Sequence, residues 1–151
     1  IKKNAVTSRA VKDGSVTPAD LAGAAQPTGF DSAELDNFQA LGTTSASVIS
    51  TTVTAPGPGY VVVTATWQFF TSQSLSHGFC FLATTAGTDD GPSGYSRSDV
   101  VTNAFYDASA LTRYLAVPAG STTFHLNCRY VGGGMFINAP VMNALFVPNR
   151  Y

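Results

Sequence analysis

Few residues of this sequence have the chemistry of a catalytic or metal site. Its only histidines are His77 and His125, its only cysteines are Cys80 and Cys128, and Glu34 is its only glutamate. His125 and Cys128 fall on opposite faces of one predicted strand, and four such scattered residues do not supply a metal centre. Glycoside hydrolysis uses a pair of carboxylates, and a chain with a single glutamate has few residues to provide them. The sequence predicts no catalytic residue, no metal site and no cofactor.

Two glycine-containing segments lack the residues that would make them functional motifs. The segment Gly91-Pro-Ser-Gly94 has neither the spacing of a nucleophile elbow nor a strand, turn and helix around it. Gly132–Gly134 is followed by no lysine and no helix, so it is not a phosphate-binding loop. We expect this triplet to form a hairpin turn or to permit a close approach of two backbone segments.

The charge distribution excludes two classes of partner. Residues 1–29 carry a net charge of +2, whereas residues 30–151 carry a net charge of −3 with only four arginines. Nucleic-acid binding requires a basic face with aromatic rings, which the acidic part does not offer. The apolar runs are far shorter than the roughly 20 residues of a membrane helix. The sequence therefore predicts neither nucleic-acid binding nor membrane insertion.

The cysteines Cys80 and Cys128 each lie inside an apolar, strand-like run. A disulfide between facing strands would suit an exported protein, and two buried free thiols would suit a reducing compartment equally well. The sequence leaves both interpretations open, because it does not give the distance between the two Cα atoms.

The longest polar stretch between predicted strands, Thr84 to Ser98, holds the candidate ligand-binding residues. These are Asp89, Asp90, Tyr95 and Arg97. The two carboxylates could hydrogen-bond a sugar, and the tyrosine ring could stack on it. The stretch fits a calcium site less well, because calcium takes six to eight oxygen ligands and the acid-x-acid spacing of a calcium loop is missing. The alternative is a solvated turn without a ligand.

Composition and periodicity favour an all-β domain from residue 30 onward. Charged residues are 11% of the chain and apolar residues 44%, and every lysine lies in the opening segment. Short apolar runs are separated by Gly, Pro, Ser and Asp clusters, which is typical of a two-sheet antiparallel sandwich. The predicted strands are Ser47–Thr54, Tyr60–Thr71, Gly78–Thr84, Val100–Tyr106, Leu111–Val117, Thr122–Val131 and Met135–Val147. Loops are predicted at Ala86–Ser98, Pro118–Ser121 and Gly132–Gly134.

Alternation within two of these strands predicts which side chains are buried. In the second, Trp67 belongs to an alternating apolar set and should lie in the core. In the sixth, Phe124, Leu126, Cys128 and Tyr130 should share the packed face, and Thr123, His125, Asn127 and Arg129 the polar one. We expect His125 to bond a hydroxyl or amide of a neighbouring strand.

Residues 1–29 form a separate region with an internal repeat of ten residues. Apolar side chains return every five positions, at Ile1, Val6, Val11, Val16 and Leu21. Neither a helix nor a strand can bury that stripe alone, so we expect a short stalk that packs against other chains. Two alternatives are a disordered basic tail and a helical turn at Pro18 capped by Thr17.

Two segments resemble the jelly-roll superfamily of the complement globular head and the tumour necrosis factors. They are the Pro/Gly turn in Val53–Tyr60, which leads into a valine-rich strand, and the closing run Asn143–Pro148. The resemblance implies a jelly-roll-like sandwich that forms homotrimers at the end of a stalk, without a catalytic residue. The decapeptide repeat is similar to segments that precede such domains in exported bacterial and phage-fibre proteins.

Two functional hypotheses follow, and neither is an enzyme. The first is a trimeric surface or fibre-tip module that binds a cell-surface glycan or protein through loop residues. The second is a structural, trimerising cap or coat element without a ligand. Both place the protein outside the cell, on its surface or on a virion.

Overall fold

The computed structural model describes residues 29–72, 75–90, 93–98 and 105–148, and for 93–98 and Phe105 it describes the backbone only. The predicted stalk and its two alternatives lie outside these residues, except for Gly29. All regular structure in the described part is β-strand. The strands are β1 (Phe30–Glu34), β2 (Phe38–Ala40), β3 (Ala46–Ala55), β4 (Gly59–Thr71), β5 (Ser76–Ala83), β6 (Ser93–Ser98), β7 (Phe105–Val117), β8 (Gly120–Val131) and β9 (Phe136–Pro148).

The strands form two antiparallel sheets that pack face to face. Sheet A has the order β1-β9-β4-β7, and β2 also pairs with β9; sheet B has the order β3-β8-β5-β6. The chain crosses between the sheets repeatedly, and its last long strand lies between the first strand and β4. This is the strand order of a jelly roll, and the prediction of an all-β, two-sheet sandwich is confirmed.

The core lies between the sheets and follows the predicted alternation. Every second residue of β4 from Gly59 to Thr71 is buried, and Trp67 is 2% exposed, which confirms its place in the core. Phe124, Leu126 and Cys128 of β8 are buried as predicted. Asn127, predicted to face the polar side, is also fully buried. Asn127 is therefore covered on the outer face of sheet B by another segment of the chain, the loop that follows β5.

Polar side chains tie the two sheets together at both open edges of the sandwich. At one edge the Asp31 carboxylate of β1 accepts hydrogen bonds from the Thr51 hydroxyl at 2.6 Å and the Thr52 backbone N–H at 2.9 Å, both in β3. At the other edge Arg113 of β7 donates through Nη1 to the Leu82 carbonyl and, at 3.0 Å, to the Asp90 carbonyl. Each tie satisfies backbone groups that an edge would leave unpaired.

Asp31→Asn should destabilise the sandwich at neutral pH but not in strong acid. The hydrogen bond from Thr51, and then the one from Thr52, lower the pKa of Asp31 below its ordinary value of 3.8. A lowered folded-state pKa adds stability that is present above the unfolded pKa and is lost as the pH falls through the folded one. Urea unfolding at several pH values and one protein concentration should show the two proteins converging as the pH falls from the unfolded pKa through the lowered folded pKa of Asp31.

The matched control for this prediction is Asp36→Asn, the same change at an exposed residue that lies between β1 and β2. We expect it to change stability by less than about 0.5 kcal/mol. An Asp31→Asn protein that stays parallel to wild type down to pH 2 would contradict the role given to this carboxylate.

A disulfide joins Cys80 and Cys128, with an S–S distance of 2.01 Å. The two cysteines face each other directly on β5 and β8, the central strands of sheet B. Both are at most 1% exposed and belong to the core. Of the two interpretations that the sequence left open, the structure shows the bridged one, which cross-links neighbouring strands of one sheet.

Three parts of the strand prediction are corrected. β1 and β2 were not predicted, because their phenylalanines point outward and the usual alternation is inverted. The segment Ser93–Ser98 is strand β6 rather than loop, since it pairs with β5 over six residues. The prediction of two strands, at Val100–Tyr106 and at Leu111–Val117, is wrong, because the single strand β7 runs without a break from Phe105 to Val117. Residues 99–104 lie outside the described part.

The connection from β8 to β9 is not a hairpin, since the two strands belong to different sheets. Gly132 there has a φ of +95°, and a Cβ on it would lie 1.9 Å from the Leu75 carbonyl oxygen. This residue must therefore be glycine, and the alternative of a close backbone approach is confirmed.

Candidate functional site

The outer face of sheet A is the most unusual surface of the described chain. Antiparallel register and alternation place six outward residues on each of β4, β7 and β9, and none of them is charged. They are Tyr60, Val62, Thr64, Thr66, Gln68, Phe70, Tyr106, Ala108, Ala110, Thr112, Tyr114, Ala116, Phe136, Asn138, Val141, Asn143, Leu145 and Val147. We call this set, with Phe30, Ser32, Glu34 and Phe38 from the adjoining strands, the A face; Glu34, opposite Val141, is a charged residue at its β1 border. A solvent-facing sheet normally carries charged side chains here.

Large apolar side chains form two clusters at opposite ends of the A face. At the end where β4 stops, the Phe70 ring contacts the rings of Phe38, Tyr106 and Phe136, with centroids 4.9 to 6.0 Å apart. At the end where β4 starts, the exposed residues are Phe30, Tyr60, Tyr114, Leu145 and Val147. Tyr114 is 71% and Phe30 63% exposed. Exposed patches of this kind mark interaction sites in folded proteins.

Small and polar side chains occupy the middle of the A face. Thr64 and Thr112 share a hydrogen bond of 3.3 Å, and Asn138 donates to Gln68 at 3.2 Å. A bulge in β9 opposite Trp67 lets both Asn138 and Val141 face outward. A hollow of about 460 Å³ lies over this region, lined chiefly by the small residues Ala108, Ala110 and Ala139. The face therefore has both projecting rings and a space that a side chain can enter.

The loop after β5 folds back over the outer face of sheet B and explains why Asn127 is buried. The Asn127 amide donates to the carbonyls of Thr85 at 2.8 Å and Thr88 at 3.0 Å, and accepts from the Gly87 backbone N–H at 3.0 Å. Both polar atoms of this side chain are thus satisfied by one loop. Asn127 thus anchors the Thr85–Thr88 part of the loop on the sheet.

The four candidate ligand residues have different surroundings. Asp89 accepts a hydrogen bond from Arg129 Nε at 2.7 Å, and the Asp90 carbonyl accepts the bond from Arg113. Tyr95 and Arg97 lie in β6 and not in a loop. In the register, Tyr95 is directly opposite Phe79, which is also opposite Arg129. The structure therefore brings Asp89, Tyr95 and Arg97 to one part of sheet B and directs the Asp90 carbonyl towards sheet A.

Asn127→Ala should loosen the loop Thr84–Asp90 and expose the outer face of β8. The change leaves the carbonyls of Thr85 and Thr88 and the N–H of Gly87 without their partner, at a cost of about 1 to 3 kcal/mol. Hydrogen exchange should show the Gly87 amide losing its protection. The exposed change Thr54→Ala is the control, and unchanged exchange at Gly87 in the Asn127 variant would exclude the anchoring role.

His125 has the partner that its strand face predicted. Its Nδ1 lies 2.9 Å from the Ser47 hydroxyl of the neighbouring strand β3. A bulge between Ser47 and Ile49 sets the position of that serine. Among the described residues, no three His, Cys, Asp or Glu side chains lie close enough together to hold a metal ion.

Sequence reasoning missed the A face and the surroundings of Arg129. The pattern that would have shown the A face is the absence of charge at outward positions of β4 and β9 together. For Arg129 the signal was its place on the polar side of β8, without any indication that Phe79 and Asp89 would flank it. Both omissions concern contacts between strands that are distant in sequence.

The strand orders and register define the class of this domain, a two-sheet jelly-roll sandwich. No protein-family profile and no curated protein sequence matches the chain. Among solved structures, the chain is similar to Eiger TNF from S. frugiperda, with 10% sequence identity, a TM-score of 0.48, and coverage of 82% of this chain and 96% of that chain. The described residues include no helix of the length and hydrophobicity required to cross a membrane.

Proposed function

We propose that this protein is a non-enzymatic homotrimeric surface module, assembled through the A face, that binds a cell-surface glycan or protein. The observation that carries the proposal is a strand face that is uncharged at every outward position of its three long strands. Full burial of an exposed large apolar side chain brings about 1.5 to 3 kcal/mol, so each half-exposed aromatic side chain on this face brings roughly half of that when it is removed from water. Assembly gives them a place to be buried.

The occupant of the A face in this proposal is a further copy of the same chain. The three long strands carry no charge on this face, so they meet copies of themselves without electrostatic repulsion, and Glu34 lies at the β1 border. Its middle and its ends differ in shape, since Ala108 and Ala110 line the hollow while the rings of Tyr114 and Phe136 are exposed at the two ends. A projecting ring of one copy that enters the hollow of the next makes a head-to-tail contact, which generates a ring when the rotation between copies closes. The stalk repeat and the superfamily resemblance favour a ring of three.

Two further observations support a binding or structural role outside the cell. The charged side chains with described partners hold the fold together, as Asp31 and Arg113 do at the sheet edges. The disulfide between Cys80 and Cys128 is the kind of bond that forms and persists in oxidising compartments. We therefore place the protein outside the cell, at a cell surface or on a virion.

A structural cap without a ligand is the second candidate. What favours it is that Asp89 and the loop around it are already engaged by Arg129 and Asn127. In this alternative the A face holds the assembly together and the loop serves only to cover sheet B.

Light scattering of the full chain after size exclusion tests the assembly. We expect a mass three times the 15.7 kDa of one chain, unchanged on dilution through the micromolar range. A stable monomer would overturn the proposal. A broad glycan array and a cell-binding assay with the trimer then separate the candidates, because consistent silence in both assays would favour the structural cap.

A further inference from the structure

A row of apolar side chains crosses sheet A at the end where the described chain begins. In the register, Phe30 of β1 lies opposite Leu145 of β9. Leu145 and Tyr114 of β7 both lie opposite Val62 of β4. Residues directly opposite one another in antiparallel strands share a face of the sheet, so these four side chains form a line across four strands of the A face. We call Phe30, Leu145, Val62 and Tyr114 the basal row.

The basal row is open to solvent in the described chain. Tyr114, Phe30 and Leu145 are each more than half exposed. Tyr60 and Val147, which lie opposite each other, extend the apolar surface by one row towards the chain start. Single exposed apolar residues are ordinary, but several in one connected patch mark a contact surface. The basal row is therefore a surface that a further segment covers.

The chain enters the sandwich beside this row. The Gly29 carbonyl accepts a hydrogen bond from the Phe146 backbone N–H at 2.6 Å, so the chain is fixed against β9 immediately before β1. A Cβ on Gly29 would overlap the Phe146 side chain, so only glycine permits this close approach. The segment that precedes Gly29 must start from the β1 end of the basal row.

The eight residues before Gly29 match the basal row in composition. Residues 1–20 hold six charged side chains, and Asp20 is the last of them before the sandwich. Residues 21–28 hold none and consist of Leu21, three alanines, one glycine, Gln26, Pro27 and Thr28. An uncharged segment of small and apolar residues can lie on an uncharged apolar surface without burying a charge.

The length of this segment also fits the row. Four adjacent strands are separated by three spacings of about 4.8 Å, so the row is roughly 14 Å long. Eight extended residues reach about 26 Å, which leaves enough chain for a turn at Pro27 before Leu21 reaches β7. Among the described large hydrophobic residues Tyr114 is the most exposed, and it lies at that far end of the row.

We propose that residues 21–28 cross the base of sheet A and cover the basal row of their own chain, with Leu21 packed on Tyr114. The covalent link favours the same chain over a neighbouring copy, because a tethered segment has an effective concentration in the millimolar range at its site. The inference goes beyond the proposed trimer and does not depend on it. The hollow and the Phe136 end of the A face stay available for contact between copies.

Disulfide trapping in the full chain tests this contact. In the Leu21→Cys, Tyr114→Cys protein, mild oxidation should form a bond within one chain, seen as a linked peptide pair and as a single-chain band on a non-reducing denaturing gel. The control pair Leu21→Cys, Ser50→Cys has its second cysteine at an exposed residue of β3 in sheet B and should not form this bond. Cys80 and Cys128 are buried and bonded to each other, so they do not take part.

A double-mutant cycle measures the same contact without new cysteines. Leu21→Ala and Tyr114→Ala should together cost less than the sum of their separate effects, with a coupling of about fivefold in the unfolding equilibrium constant. Val16→Ala combined with Tyr114→Ala is the control and should be additive, because Val16 lies outside the covering segment. All four proteins of each cycle are compared at one concentration.

Three results would overturn the inference. The first is no bond within one chain at Tyr114, or a bond formed equally well at Ser50. The second is a bond that joins two chains, which would assign the basal row to the segment of a neighbouring copy. The third is additivity of Leu21→Ala and Tyr114→Ala. A stable monomer on light scattering contradicts the proposed trimer and leaves a bond within one chain unaffected, so the two failures are distinguishable.

Discussion

Thr66→Glu should convert the proposed trimer into a folded monomer. Thr66 is an exposed residue of β4, the strand between β9 and β7 in sheet A, and it lines the hollow of the A face. In a single chain its side chain faces water, so the substitution should cost the fold little. In the assembly the carboxylate would be buried without a partner, at a cost of about 3 kcal/mol for each copy. That cost corresponds to a loss of association on the order of a hundredfold or more.

The comparison variant is Thr54→Glu, which makes the same change at an exposed residue of β3 on the outer face of sheet B. We expect it to remain trimeric. Light scattering over a dilution series and far-UV circular dichroism measure assembly and fold separately. If Thr66→Glu stays trimeric at low micromolar concentration, the subunits do not meet through the A face.

Loss of the disulfide should lower stability by about 4 kcal/mol. Cys80 and Cys128 are separated by 48 residues, and the chain-entropy relation for closing a loop of that size gives this magnitude. In the unfolded oxidised protein the cross-link keeps this loop closed, so that chain has fewer conformations available than the unfolded reduced chain. This is a large share of the 5 to 15 kcal/mol that holds an ordinary domain folded.

The cleanest measurement compares oxidised and reduced wild type, because both keep the two sulfur atoms in the core. Protein unfolded and refolded with reductant should unfold at a lower urea concentration than the oxidised form. The Cys80→Ala, Cys128→Ala double variant should be less stable still, since it adds a small cavity. Equal urea midpoints for oxidised and reduced protein would show that the cross-link contributes no stability. All samples must have one concentration, since assembly also stabilises the fold.

The alternation of apolar and polar residues was sufficient to predict the central strands from the sequence. Trp67 and Phe69 in β4, and Phe124 and Leu126 in β8, follow the period of two that a strand with one packed face requires. Their burial is decided by local pattern, and the structure matches it. The same local pattern gave the all-β class and the turn before Gly59.

Other elements depend on partners that local pattern does not reveal. Ser93–Ser98 has no alternating apolar residues and becomes a strand because it pairs with the edge of β5. Phe30 and Phe38 point outward, so β1 and β2 do not show a packed side in their own sequence. Asn127 looked like a solvated residue of a polar face and is buried because a loop returns over it. In each case a contact distant in sequence overrides the local signal.

The A face shows the same limit for function. Alternation from Trp67 predicts Val63 in the core and Val62 on the outer side, and the structure confirms it. What the sequence does not tell is that the outer sides of β4, β7 and β9 lie next to one another and form a single uncharged surface. The four candidate ligand residues were found from the sequence as part of the polar stretch Thr84–Ser98. Their neighbours Arg129 and Phe79 could not be inferred from the sequence, because that requires the register of the strands.

The position of β1 determines how the domain responds to mechanical tension. Gly29 and Pro148 lie at the same end of sheet A, and β1 runs beside β9 in five residue pairs. A pull on residue 29 along the axis of β1, opposed by the far end of the sandwich, loads the β1 ladder in shear, so its hydrogen bonds resist together with those of Asp31. A pull between residue 29 and residue 148 instead peels β1 from β9 one pair at a time. The resistance of the first strand to force therefore depends on where the opposing force is applied.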